Sequence, residues 1–167
     1  MKIVIYLSVA LAATILYSCK KGDDVPAEYK QKAEEFKTFV ANKQFRLVDY
    51  YADKAIDYVE DDAEVKQETD LWAYVSIWIK DDLNVFDLSS NKVTVTQGEH
   101  KFEGITDDVF SKDFSISADK DGPYLNFLNY QYNPLKYRIL EFTDNHFIVY
   151  VDWHSGAKVF SEFDAVP

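Results

Sequence analysis

A single cysteine in 167 residues leaves no partner for an intramolecular disulfide, so the core rather than bridges must hold this fold. Positive charge is scarce. Eighteen Lys and Arg against 29 Asp and Glu leave a net charge of -11, without the basic stripe that phosphate neutralisation needs, which excludes nucleic acid as a partner. The three histidines, His100, His146 and His154, stand near turns at no metal-ligand spacing. His146 and His154 bracket one strand of eight residues and fall about 27 Å apart at 3.4 Å per residue, too far to share a metal. No Ser/His/Asp order, phosphate loop or glycine-rich cradle is present, so the chain reads as non-enzymatic and without a cofactor.

Against these absences stand twelve Tyr, twelve Phe and an apolar content of 47%. That is enough for a real core, and one domain fits the length. With only five glycines, the aromatic content favours half-buried pleated surfaces.

Two regimes of periodicity divide the chain. In "DDVPAEYKQKAEEFKTFVANKQ", Tyr29, Ala33, Phe36 and Val40 form one apolar stripe at helical spacing, with Phe39 at its edge. Asp24 is placed to cap this helix, Pro26 suits its first turn and Asn42 its stop. A charged opposite face predicts that it lies against the domain as a lid or brace. After Asn42 the period changes to two. Strands are predicted at "QFRLVDYYA" (44–52), "LNVFDL" (83–88), "KVTVTQ" (92–97), "KFEGI" (101–105), "DFSISA" (113–118), "PYLNFLNY" (123–130), "KYRILEF" (136–142), "HFIVYVDW" (146–153) and "AKVFSEF" (157–163). Residues 53–70 begin extended and become an acidic loop. Short turns join the strands and no helix is long enough for a parallel crossover, so the class is mainly β and antiparallel. Closing such a meander removes its unpaired edges.

The N-terminus carries the most specific pattern. Lys2 followed by "IVIYLSVALAATILY" has the layout of an export signal, and the fifteen residues of this apolar run fall short of the ~20 that span a bilayer. "LYSC", with Leu16 at minus three and Ser18 at minus one, resembles the bacterial lipobox. That resemblance implies cleavage before Cys19 and lipidation of its sulfur, anchoring the chain in a membrane. More than one acyl chain makes such an anchor stable, at ~0.8 kcal/mol per buried CH₂. "KKGDD" (20–24) resembles the tag that follows the lipid cysteine in surface lipoproteins of Bacteroidota, implying the outer membrane and its cell-surface side more than its periplasmic face. A solvated tether would be polar as well.

"DLWAYVSIWIKDDLNVFDL", "NKVTVTQ", "DGPYLNFLNYQYNPLKYRILEFTDNHFIVYVDW" and "SGAKVFSEF" together resemble lipocalin-like lipoproteins of gut Bacteroidota. The resemblance implies an eight-stranded up-and-down barrel with a cavity. Where the first lipocalin strand has glycine-x-tryptophan, this chain has "KQF" (43–45), which sets Phe45 to plug the barrel floor. The expected organisation is a signal peptide at 1–18, a polar tether at 19–26, an N-terminal helix at 27–42 and a lipocalin-like barrel at 43–167.

Acidic clusters yield to plainer readings. "SADKDG" (117–122) has Asp119, Asp121 and Gly122 in a calcium-loop order, but the twelfth position is Leu128 and the segment joins strands, so it reads as a hairpin turn. "DYVEDDAE" (57–64) reads as a solvated loop, and adjacent Asp81 and Asp82 make a poor catalytic dyad. The remaining signal is aromatic. Trp72, Tyr74 and Trp78 fall in one stretch and Tyr130, Tyr132 and Tyr137 in another. Rings with a polar tip suit a pocket mouth, and they suit packing between strands too. Two functions follow as expectations: a barrel that binds a small apolar or amphiphilic ligand, or a filled barrel that docks a protein or glycan partner. The anchor itself is directly testable. Cys19→Ala is expected to abolish palmitate labelling of the protein in cells, and unchanged labelling would overturn lipidation.

Overall fold

The computed structural model describes residues 24–58, 66–102, 107–128 and 134–167. Cys19, most of the acidic segment 57–64, part of "KFEGI" and both Tyr130 and Tyr132 lie outside the described residues. The helix, α1 (Ala27–Val40), buries Ala33, Phe36 and Val40, three positions of the predicted stripe, and leaves its charged face exposed. Asp24 does not cap it, a correction to the sequence reading. Pro26 holds the cap position and brings no side-chain oxygen, so its carbonyl accepts the Tyr29 and Lys30 amides at 3.1 and 3.3 Å instead. Asn42 ends the helix in a left-handed conformation (φ 60°), which an Asn tolerates well.

Among the described residues nine strands follow: β1 (Gln44–Tyr58), β2 (Lys66–Asp70), β3 (Leu83–Asp87), β4 (Lys92–Thr96), β5 (Val109–Asp119), β6 (Gly122–Leu128), β7 (Pro134–Thr143), β8 (His146–Asp152) and β9 (Lys158–Val166). They form one antiparallel sheet that closes into a ring, because β1 pairs with β9 as well as with its other neighbours. Eight of the nine strands read along the chain are present, and "KFEGI" forms none at its described residues Lys101 and Phe102; the sheet still counts nine strands among the described residues, where the resemblance implies eight. The additional strand is β2, read from sequence as acidic loop because "KQETD" is polar and carries little strand propensity. It forms because β1 runs six residues beyond the predicted end at Ala52 and offers it an edge. "WAYVSIWIKD" holds a 3₁₀ turn at Trp72–Tyr74 and a short helix, α2 (Ile77–Asp81).

On one edge, β1 pairs with β3 through Gln44 and Phe45 and with β2 from Tyr51 onward. On the other it pairs with β9 along Gln44–Ala52. Two bulges reset which side chains face inward. The register shifts at Leu47/Asp49 against β9 and at Ile139/Glu141 against β8, leaving Val48 and Leu140 as extra, outward residues. A one-residue slip exchanges the two faces of a strand. Leu47 therefore faces inward, but so do Tyr50 and Ala52. On β7, Ile139 faces inward and so does Phe142, which meets the helix.

The helix closes the end of the ring that holds the β3–β4, β5–β6 and β7–β8 turns. Phe36, fully buried, meets Phe142 and Phe147 edge to face at 5.4 and 5.3 Å between centroids. Phe45 is also fully buried and sits 4.9 Å from Phe147, while Phe147 stacks on Phe163 at 4.7 Å. Each such pair adds about 0.5–1.5 kcal/mol beyond area burial. Two lysines fix the helix from outside: Lys32 donates to the Leu140 carbonyl in the β7 bulge (2.6 Å) and Lys43 to the Asp144 carbonyl in the β7–β8 turn (2.8 Å). The β5–β6 turn is tied to β7 by a bidentate pair, Arg138 to Asp119 at 2.6 and 3.1 Å. The Arg138 hydrogen bonds hold the Asp119 carboxyl well below the usual carboxylate range. A second cluster of Ala52, Ile56, Leu71, Ala157 and Val159 packs near the opposite end.

Removing the central helix contact tests this account. Phe36→Ala should cost about 3–5 kcal/mol of unfolding free energy by urea denaturation, the range for a large ring lost from a packed core. A loss below about 1 kcal/mol would mean that the helix is not part of that core.

Candidate functional site

Between the two clusters the ring is not filled. A cavity of about 330 Å³ opens there, at the small end of the range for ligand pockets. Its floor and sides come from around the ring: Leu47 and Tyr50 of β1, Ser161 and Phe163 of β9, Leu135 and Tyr137 of β7. Phe127 of β6 and Asn84 of β3 complete these sides, and a deeper recess of about 50 Å³ reaches towards Phe86 and Phe147. The remaining wall is Tyr74, Val75, Ser76 and Ile79, from the stretch between β2 and β3.

That wall is positioned by contacts on both sides. Leu71, almost fully buried, donates its amide to the Tyr50 carbonyl (3.1 Å), and the Tyr74 hydroxyl donates to Glu68 on β2 (3.1 Å). Lys80 lies over the Trp72 ring at 4.5 Å, and Trp78 packs on Phe102 at 4.6 Å. Asp81 and Asp82 take separate places because they stand where α2 ends, before the strand begins. Asp81 accepts the His100 amide at 3.0 Å and faces the His100 ring nitrogen Nδ1 at 3.1 Å. Burial opposes its ionisation, yet these contacts hold its carboxyl below the ordinary value. Gly98 is required beside it: a Cβ there would stand 2.4 Å from the Asp81 carboxyl carbon.

Asp82 turns inward instead and is 1% exposed, near Lys112 of β5, which is 2% exposed. The Lys112 ammonium lies 5.3 and 5.6 Å from the Phe110 and Phe127 ring centroids. Burial pulls its pKa down to about 8, and the Asp82 charge offsets part of that pull. Lys112 and Asp82 do not line the cavity; Phe127, beside Lys112, does. Burial also pushes the Tyr137 hydroxyl upward, with Tyr50 adding to the effect, so this phenol remains protonated.

Of the aromatic residues singled out in the sequence, Tyr74 and Tyr137 meet at the cavity. Trp72 and Trp78 belong to the same stretch as Tyr74, but their rings serve Lys80 and Phe102. Tyr50, Asn84, Ser161 and Phe127 were not anticipated. The first of these had a visible signal, since "LVDYYA" breaks the strict alternation of a strand just where the bulge occurs. His146 lies on the outer surface and bonds Asp164 at 2.6 Å. Asp119 is engaged by Arg138 and Lys136 within a tight turn. Among the described residues, no group of three or more His, Cys, Asp or Glu could hold a metal ion, and no helix is long and apolar enough to cross a membrane. No protein-family model matches the chain, and neither does any curated protein sequence.

The depressed Lys112 gives a pH signature. Its folded-state pKa is below the unfolded value, so between about pH 8 and 10 the unfolded chain holds the proton more often, and stability should rise with pH in that window. Urea denaturation at several pH values should show this rise, and Lys112→Met should remove it whatever the variant's absolute stability. A wild-type profile flat or falling from pH 8 to 10 would contradict the burial of this ammonium.

Proposed function

We propose that this protein is a lipid-anchored outer-membrane lipoprotein of the lipocalin-like type. In this reading it binds a small apolar or amphiphilic ligand and performs no chemistry on it. The observation that carries the reading is the 330 Å³ cavity, bounded by aromatic and aliphatic side chains with a few hydroxyls, between two packed clusters of a closed antiparallel sheet. Such a space suits a ligand that exchanges water for apolar contact and is oriented by a few hydrogen bonds. The ring itself supports the finer description of an up-and-down barrel closed below by Phe45 and the helix, with β2 as an added edge strand. The lipobox-like "LYSC" and the polar "KKGDD" support the anchor on Cys19 and the surface address.

A second reading, a structural or accessory protein that docks a protein or glycan partner, draws support from the filled half of the ring, where the helix and the phenylalanines leave room only for the small recess. Native mass spectrometry separates the two. Both core clusters and the residues packed on them lie between Ala33 and Ala165, so the chain from residue 24 onward contains that packing. This chain, purified without detergent, should carry or take up a small apolar molecule in one-to-one ratio. Ser161→Phe, which fills the cavity from β9, should lose it. A chain that takes up none, yet cross-links in cells to one stable partner, would favour the second reading.

A further inference from the structure

The charge of the cavity narrows its ligand. The described lining consists of neutral side chains alone, six of them bearing a hydroxyl or amide: Tyr50, Tyr74, Ser76, Asn84, Tyr137 and Ser161. Three lysines of the elements around it have contacts elsewhere. Lys112 is buried near Asp82, Lys80 lies over Trp72, and Lys101 is paired with Asp108.

An ionised head group brought into this space would lose its hydration with no opposite charge to receive it, and a buried ion without a partner is strongly disfavoured. Hydroxyls and an amide, by contrast, satisfy the oxygens and N–H groups of a neutral molecule, donating or accepting as required. We infer that the cavity selects uncharged ligands, compact apolar molecules carrying hydroxyl, carbonyl or ether oxygens, and rejects carboxylates such as free fatty acids. This inference rests on the ligand-binding reading above and adds a rule of charge to it.

A matched pair of fluorescent probes tests the rule: N-phenyl-1-naphthylamine, which is neutral, and 1-anilinonaphthalene-8-sulfonate, the same ring system with an anionic group. Titrated into the chain from residue 24, after its cooperative unfolding has been verified, the neutral probe should bind at least tenfold more tightly. Ser161→Phe and, as a second filling variant, Leu47→Trp should each abolish that binding. Asn84→Lys, which sets a cation in the wall, should reverse or erase the preference. If the sulfonate binds the wild type as tightly as the neutral probe, and the filling variants remove both, the charge rule is overturned and the cavity reading stands. If neither probe binds, both fall together.

Discussion

Everything inside this molecule depends on one strand being paired along both edges. β1 meets β9 on one side and β3, then β2, on the other, and this double pairing turns a meander into a ring. A sheet left open between β1 and β9 would present two edges of unpaired amides and carbonyls and would expose Phe45, Phe147 and Phe163 to water. The same strand then serves three environments in succession. Phe45 belongs to the aromatic cluster under the helix, Leu47 and Tyr50 to the cavity, and Ala52 and Ile56 to the second cluster. A strand of 15 residues is long for a domain of this size, and its length lets closure, cavity and second core share one backbone.

The bulges explain why the cavity and the helix seat exist where they do. Without the shift at Leu47/Asp49, strict alternation would turn Asp49 inward and Tyr50 outward, replacing a phenol in the wall by a carboxylate. Without the shift at Ile139/Glu141, Glu141 would take the place of Phe142 beneath α1. The carbonyl of Leu140, the outward residue of the second bulge, is the acceptor for Lys32 of the helix. A local irregularity in the sheet is thus bonded to the element that depends on it.

How much of this the sequence discloses follows from which forces are local. The helix stripe of Ala33, Phe36 and Val40 and the hairpin turns at 88–91, 120–121 and 144–145 are set by spacing and turn chemistry, and they are legible. The strand at "KQETD" and the second half of β1 exist because each supplies the other's partner, a tertiary cause that propensity does not record. The aromatic stretch at 72–78 shows the same limit at the site. Composition places Trp72, Tyr74 and Trp78 together, but the 3₁₀ turn and the short helix send their rings to different neighbours. Asn84 and Ser161 carry no signal of their own, because a small polar residue facing inward is identified only by the register of the strands around it.

The helix that seals the ring also decides how the molecule stands. The chain enters the described structure at Asp24 and passes directly into α1, at the end of the ring opposite the second cluster. Eight residues from Cys19 to Pro26 reach at most about 28 Å even fully extended. A protein held by lipid on Cys19 would therefore keep its sealed end close to the bilayer, with the cavity on the side turned to the surrounding medium. On that geometry the cavity would face the solution rather than the leaflet beneath, and the seal would stand as a partition between the anchor's acyl chains and the cavity.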